Sequence, residues 1–166
     1  MSFKNILCFG TLNPDLIYFV DELPNKGDDI RSLKSSIRPG GTAINCSELI
    51  SLWDKSVHVR GNSIGSDPMG KYLVDYLKEN NINFDGLIIN QSLTPTCSIF
   101  VDSSGERTIV SSGYEGLEWS NFENLNNFDS LIIDRYSIKF IKDKLKDLKK
   151  QNNLFVCQAG YEYEIN

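Results

Sequence analysis

The sequence predicts an α/β fold that carries a second, smaller sheet. Three observations lead there. Short apolar runs that read as buried strands alternate with amphipathic segments of helical period, the pattern of an α/β sheet. Further strand-like segments at 15–20, 28–37, 95–102 and 106–113 come as adjacent pairs with no helix between members, so they need a sheet of their own. The chain has 166 residues, 40% of them hydrophobic, which is enough for one domain with a real core.

The elements follow in order. Residues 3–10, FKNILCFG, predict a buried strand ending at Gly10. After the break N-P-D at 13–15, LIYFVDEL predicts a second strand, and Pro24 with Gly27 a turn. Residues 28–37 alternate weakly and predict a paired, partly exposed strand. Gly40 and Gly41 then open a helix running to about Trp53. Ala43, Cys46, Ile50 and Trp53 recur at three- and four-residue steps, which places them on one face. VHVRG at 57–61 is a short strand. Asp67-Pro68 starts a helix, with the acid as N-cap and proline in the first turn. Met69, Leu73, Tyr76 and Leu77 form its apolar stripe, and Asn80-Asn81 ends it. GLIIN at 86–90 is strand-like. TPTCSIFVD and ERTIVSS flank S-S-G at 103–105 and predict a hairpin. DSLIID at 129–134 is a buried strand. SIKFIKDKLKDLKK puts Ile138, Ile141, Leu145 and Leu148 on one face, its lysines forming the solvated side of an amphipathic helix. NLFVCQA at 153–159 is a last buried strand.

Composition narrows the function. The formal net charge is −5 and no block is basic enough to track phosphates, so nucleic acid is not the expected partner. The apolar patches near the N-terminus are split by Asn13, Pro14 and Asp15, which fits neither a signal h-region nor a membrane span. The expectation is a cytoplasmic protein without a membrane partner. Cys8, Cys46, Cys97 and Cys157 are scattered with no C-x-x-C pair and read as reduced, small apolar residues. His58 is the only histidine, too few for a catalytic triad or a multi-histidine metal site, and reads as a solvent-facing strand residue. Neither a Walker loop nor G-x-G-x-x-G after the first strand is present.

The stretch P-G-G-T-A-I-N at 39–45 is the chemically unusual one. A helix N-terminus presents unpaired N–H groups, and glycines there remove side chains that would hold a ligand away. Thr42 and Asn45 are three apart and share a face of the first turn. An amide both donates and accepts, which suits a polyhydroxyl ligand, and Asp15 adds an acceptor just past the first core strand. From chemistry alone, a plain turn with Asn45 on the helix surface accounts for the stretch equally well.

Four segments in order decide between these. G-T-L-N-P-D at 10–15, P-G-G-T-A-I-N at 39–45, I-G-S-D-P-M-G at 64–70 and S-G-E-R-T-I-V at 104–110 together resemble the PfkB carbohydrate kinase, or ribokinase-like, family, and ketohexokinase-type sugar kinases within it. The resemblance spans the chain. It implies a ribokinase-like three-layer αβα sandwich, N-terminal part, with a small β-sheet lid built from strands at about 15–37 and 95–113. It implies that Asp15, Gly41 and Asn45 hold sugar hydroxyls, that Asn13 supports the pocket, and that Gly40 clears its floor. Thr42 stands where relatives often carry Lys or Asn. Arg107 reads as a contact for an anionic substituent or as a solvated hairpin residue, and Arg135 carries the same ambiguity. The implied partners are a small-molecule sugar or sugar phosphate and a second copy joined through the lid sheet. The implied cofactors are ATP and Mg²⁺. The family's general base lies in a late G-A-G-D segment, and no G-A-G-D occurs in this sequence, so the catalytic aspartate is expected beyond Asn166. The expectation is therefore a sugar-binding half, inactive alone. A non-catalytic sugar-binding or regulatory module and an adenosine-type nucleoside kinase remain the alternatives.

Overall fold

The computed structural model of the chain describes residues 4–53, 55–121, 124–141 and 156–159. Its core is a parallel sheet in the order β10-β9-β1-β4, formed by Asn5–Gly10 (β1), Ser56–Gly61 (β4), Ser130–Asp134 (β9) and Val156–Ala159 (β10). Alternation along β1 explains why this sheet is covered twice. Ile6 and Cys8 face one side and pack with Ala43, Ile44 and Ile50 of α1 (Thr42–Ser51) and Leu73 and Leu77 of α2 (Pro68–Glu79). Leu7 and Phe9 face the other side with Leu131, Ile133 and Ile141, the last from a helix that opens at 138–141. A strand buried on both faces reads as a continuous apolar run, as ILCF does.

The second sheet has the order β3-β2-β7-β8, from Asn13–Phe19 (β2), Lys34–Gly40 (β3), Thr96–Val101 (β7) and Arg107–Ser112 (β8). Its two hairpin pairs are antiparallel and meet along a parallel β2–β7 seam. Ile64–Gly65 (β5) and Ile89–Asn90 (β6) form a separate two-stranded sheet.

Several expected boundaries move, each for a physical reason. The N-P-D segment does not break the second strand but begins it, because Pro14 faces Pro39 across the β2–β3 pair. Two facing prolines suit a non-hydrogen-bonded pair, which uses neither N–H, and the β7 register starts only at Asp15. The third strand occupies 34–40 rather than 28–37 and runs into Gly40. In the first helix the inward face is Ala43, Ile44, Ser47 and Ile50; Cys46 is half-buried, and Trp53 lies beyond the helix end, 68% exposed. In the second helix Met69 and Tyr76 are half-buried, flanking Leu73 and Leu77. Of GLIIN only Ile89 and Asn90 pair. His58 is half-buried, and its ring meets Phe128 edge-on with centroids 5.0 Å apart. The expected helix at 137–150 lies outside the described residues from 142 onward. Among the described residues no helix is long and apolar enough to cross a membrane.

Asp67 ties the start of α2 to the segment before β7. As N-cap of α2, its Oδ1 accepts from the Gly70 N–H at 2.8 Å and the Thr94 hydroxyl at 2.7 Å, while Oδ2 accepts from the Thr94 N–H at 2.8 Å. Burial pushes this carboxyl up, but the bonds from Thr94 and Gly70 outweigh it and hold it below the usual aspartate value. Its stabilising contribution is thus complete above the unfolded-state pKa, about 3.9, and is lost as pH falls through the lower folded value. Asp67→Ala is expected to cost about 1–2 kcal/mol at neutral pH, with the gap to the parent narrowing below about pH 4 in thermal melts followed by circular dichroism.

Candidate functional site

A cleft of about 1020 Å³ opens beyond the carboxyl ends of β1 and β9, where open parallel sheets characteristically bind ligands. Its floor comes from the segment after β1, the start of α1 and the end of β9. Its far wall is one face of the second sheet. Cross-strand register sets that wall in rows. Asp15, Cys97 and Ser111 are paired neighbours in one row, Ile17, Ile99 and Ile109 in the next, and Phe19, Val101 and Arg107 in the third. Polar groups thus lie at the base of this wall, an apolar band in its middle, and Arg107 toward its far end.

Asn13, Asp15, Gly41, Thr42, Asn45 and Arg107 all line this one cleft. Gly40 lies just behind it. A Cβ at Gly40 would fall on the Asp15 carboxylate, and one at Gly41 would fall on the Thr11 carbonyl. The two glycines therefore admit the chain's own Asp15 and Thr11, and only through them shape the space a ligand meets. Gly41 also has φ 85°, a conformation that favours glycine. The helix amides at this end are partly engaged: Thr42 N–H donates to the Thr11 hydroxyl at 3.2 Å and Ala43 N–H to the Thr11 carbonyl at 3.2 Å. What faces the cleft from α1 is then mainly the side chains of Thr42 and Asn45.

Asp15 is half-buried, and its Oδ1 accepts from Asn13 Nδ2 at 2.6 Å. Burial raises its carboxyl above the usual value, and the Asn13 bond only partly opposes this. Asn13 is itself buried and accepts from the Tyr114 hydroxyl at 2.8 Å. Arg107 is exposed at the start of β8, and Arg135 stacks its guanidinium on Tyr136 with 4.6 Å to the ring centroid, both on the cleft margin.

Sequence reading did not single out Thr11, Tyr114 or Asp134, and all three line the cleft. Asp134 is 1% exposed. Its Oδ2 accepts from Thr11 N–H at 2.7 Å and the Thr11 hydroxyl at 2.9 Å, and its Oδ1 from Ser137 N–H at 2.8 Å and Tyr136 N–H at 3.0 Å. An acid at the carboxyl end of a buried parallel strand is the signal that could have found it. Tyr114 left no comparable signal. Among the described residues no group of three or more His, Cys, Asp or Glu is placed to hold a metal ion.

Comparison with known proteins places the chain by family and fold. The model of the pfkB family of carbohydrate kinases matches residues 4–157. A ribokinase from Dictyostelium discoideum is 28% identical over 108 residues, covering 64% of this chain and 34% of that protein. A ketohexokinase from Mus musculus is 30% identical over 112 residues, covering 66% and 37%. The structure of Arabidopsis thaliana ribokinase complexed with ribose and ATP superposes with a TM-score of 0.77 at 18% identity, covering 98% of this chain and 55% of that one. The chain thus matches little more than a third of its curated relatives and about half of the solved structure.

Gly41→Ala is expected to cost about 2–4 kcal/mol in urea unfolding, since it combines a positive φ with a clash against backbone.

Proposed function

The chain belongs to the pfkB family of carbohydrate kinases, and from that premise we propose that it supplies the sugar cleft and lid for ATP-dependent phosphorylation of a sugar hydroxyl. One observation carries this reading: Asp15, Thr42 and Asn45 converge at the carboxyl end of the core sheet and face a separate sheet across one cleft. An ionised carboxylate accepts from hydroxyls, while amide and hydroxyl groups both donate and accept, a set suited to a polyol. The second sheet acts as a lid that keeps water from the reacting phosphoryl group. Arg107 meets an anionic substituent from the lid side.

Binding is assigned to this chain, and transfer is not. Asp134 already accepts four hydrogen bonds from its own chain, and Asp15 is held by Asn13. Neither is placed as a free general base, and the family's G-A-G-D element does not occur in the sequence. The lid sheet ends in β3 on one side and β8 on the other, edges through which a second copy can pair.

A nucleoside is the second reading, favoured by the apolar wall. Ile99 and Ile109 on the lid, with Trp119 and Tyr136 opposite, offer a surface for a planar base.

Calorimetry of the 166-residue chain with fructose, ribose and adenosine tests these readings. One of the three is expected to bind without ATP turnover. Asp15→Asn should weaken it at least about tenfold, the worth of a hydrogen bond to a charged group. Gly40→Ala should do the same by displacing Asp15. Because the folded carboxyl is raised, affinity should hold at neutral pH. It should then fall as pH drops through that raised value, starting above the pH where an ordinary aspartate titrates. Absence of binding by all three, or an unchanged affinity in Asp15→Asn, refutes the proposal.

A further inference from the structure

We infer that Tyr114 is a positioning residue of the cleft: it fixes which way the Asn13 amide points and, through that amide, orients Asp15 for the ligand. The inference rests on the sugar-binding reading above. Its basis is a chain of three side chains with one sense of donation. The Tyr114 hydroxyl donates to Asn13 Oδ1 at 2.8 Å, and Asn13 Nδ2 donates to Asp15 Oδ1 at 2.6 Å.

An amide fits its site either way round by shape alone; its partners decide the orientation. An ionised carboxylate demands a donor, so Nδ2 turns to Asp15 and the carbonyl turns away. That carbonyl is buried with Asn13, 2% exposed, and would lack a donor without Tyr114. Burial pushes the Tyr114 phenol well above its usual range, so it stays a neutral donor at working pH. Its other near neighbour is the Cys97 thiol at 3.6 Å, a weak partner that leaves the bond to Asn13 dominant.

Position adds a second line. Tyr114 follows β8, and Gly113 before it packs against Pro95, just before β7. Both ends of the β7–β8 hairpin therefore meet beside the Tyr114–Asn13 bond. Asn13 opens β2 on the far side of β7. The bond reaches across the base of the lid and ties the hairpin to the residue that holds Asp15.

The test is a double-mutant cycle of Tyr114→Phe and Asn13→Ala, read in two ways on the 166-residue chain. The first readout needs no ligand: the Asp15 carboxyl is titrated by ¹³C NMR. Losing the Tyr114 donor frees the Asn13 amide to rotate and weakens the bond that holds the Asp15 value down. The midpoint should rise in Tyr114→Phe, rise in Asn13→Ala, and rise no further in the double variant. Arg38 across β3 and Cys97 across β7 face the same row as Asp15 and are unchanged throughout. The second readout is the Kd of whichever of fructose, ribose or adenosine binds. Tyr114→Phe should raise it about three- to tenfold in the parent and leave it unchanged in Asn13→Ala. An unmoved Asp15 midpoint in Tyr114→Phe, or equal effects of that change in both backgrounds, overturns the assignment. If none of the three compounds binds, the sugar-binding reading fails while the titration still decides the role of Tyr114. Should Asn13→Ala not fold, Asn13→Ser serves as the second arm.

Discussion

The buried carboxylate of Asp134 is the knot on which the cleft depends. Two of its four hydrogen bonds hold Thr11 at the end of β1, and two hold the chain as it leaves β9. Thr11 then passes the constraint on, since its hydroxyl and carbonyl accept from the first two amides of α1. Three elements distant in sequence are thereby fixed around one side chain. A buried carboxylate without such partners would be prohibitively expensive, whereas charge-assisted bonds to backbone N–H groups offset the cost of desolvation. The arrangement also explains why Gly10 and Gly41 border it: a side chain at either would intrude on Asp134 or on Thr11.

From that knot the rest of the site follows by geometry. Thr11 turns the chain out of the core sheet, and β2 carries Asn13 and Asp15 into the second sheet. Asp15 thus belongs to the second sheet by backbone and to the floor by position. Its environment differs in kind from that of Asp134. One carboxylate is saturated by three backbone N–H groups and a hydroxyl, and the other is half-buried with a single amide partner and a raised pKa. An under-satisfied acceptor at the edge of a cleft has bonding capacity to offer a ligand, and a saturated one does not.

Local chemistry was the part of this structure legible in the sequence. The Asp67-Pro68 helix start, the S-S-G hairpin turn and the apolar runs of β1 and β9 all depend on neighbours close in the chain, and they stand where expected. Extra strands that broke the alternation announced the second sheet, and the ordered motifs gathered Asn13, Asp15, Thr42 and Asn45 in advance. What could not be read depends on contacts across the fold. Pro14 looks like a breaker until Pro39 is set opposite it. Trp53 sits at the right helical phase, yet the helix ends before reaching it. Tyr114 is an ordinary loop tyrosine until the register of four strands brings Asn13 within reach.

The order β3-β2-β7-β8 has a consequence for how the molecule assembles. The two hairpins of the second sheet are separated in the chain by α1, β4, β5, α2 and β6, and their parallel seam cannot close until those elements have compacted. Loop-closure entropy delays such long-range pairing relative to the hairpins, which form locally. The seam should therefore form later than either of the two hairpins it joins. The wall of the cleft is in that sense assembled from two pieces, joined along a seam that includes the row containing Asp15.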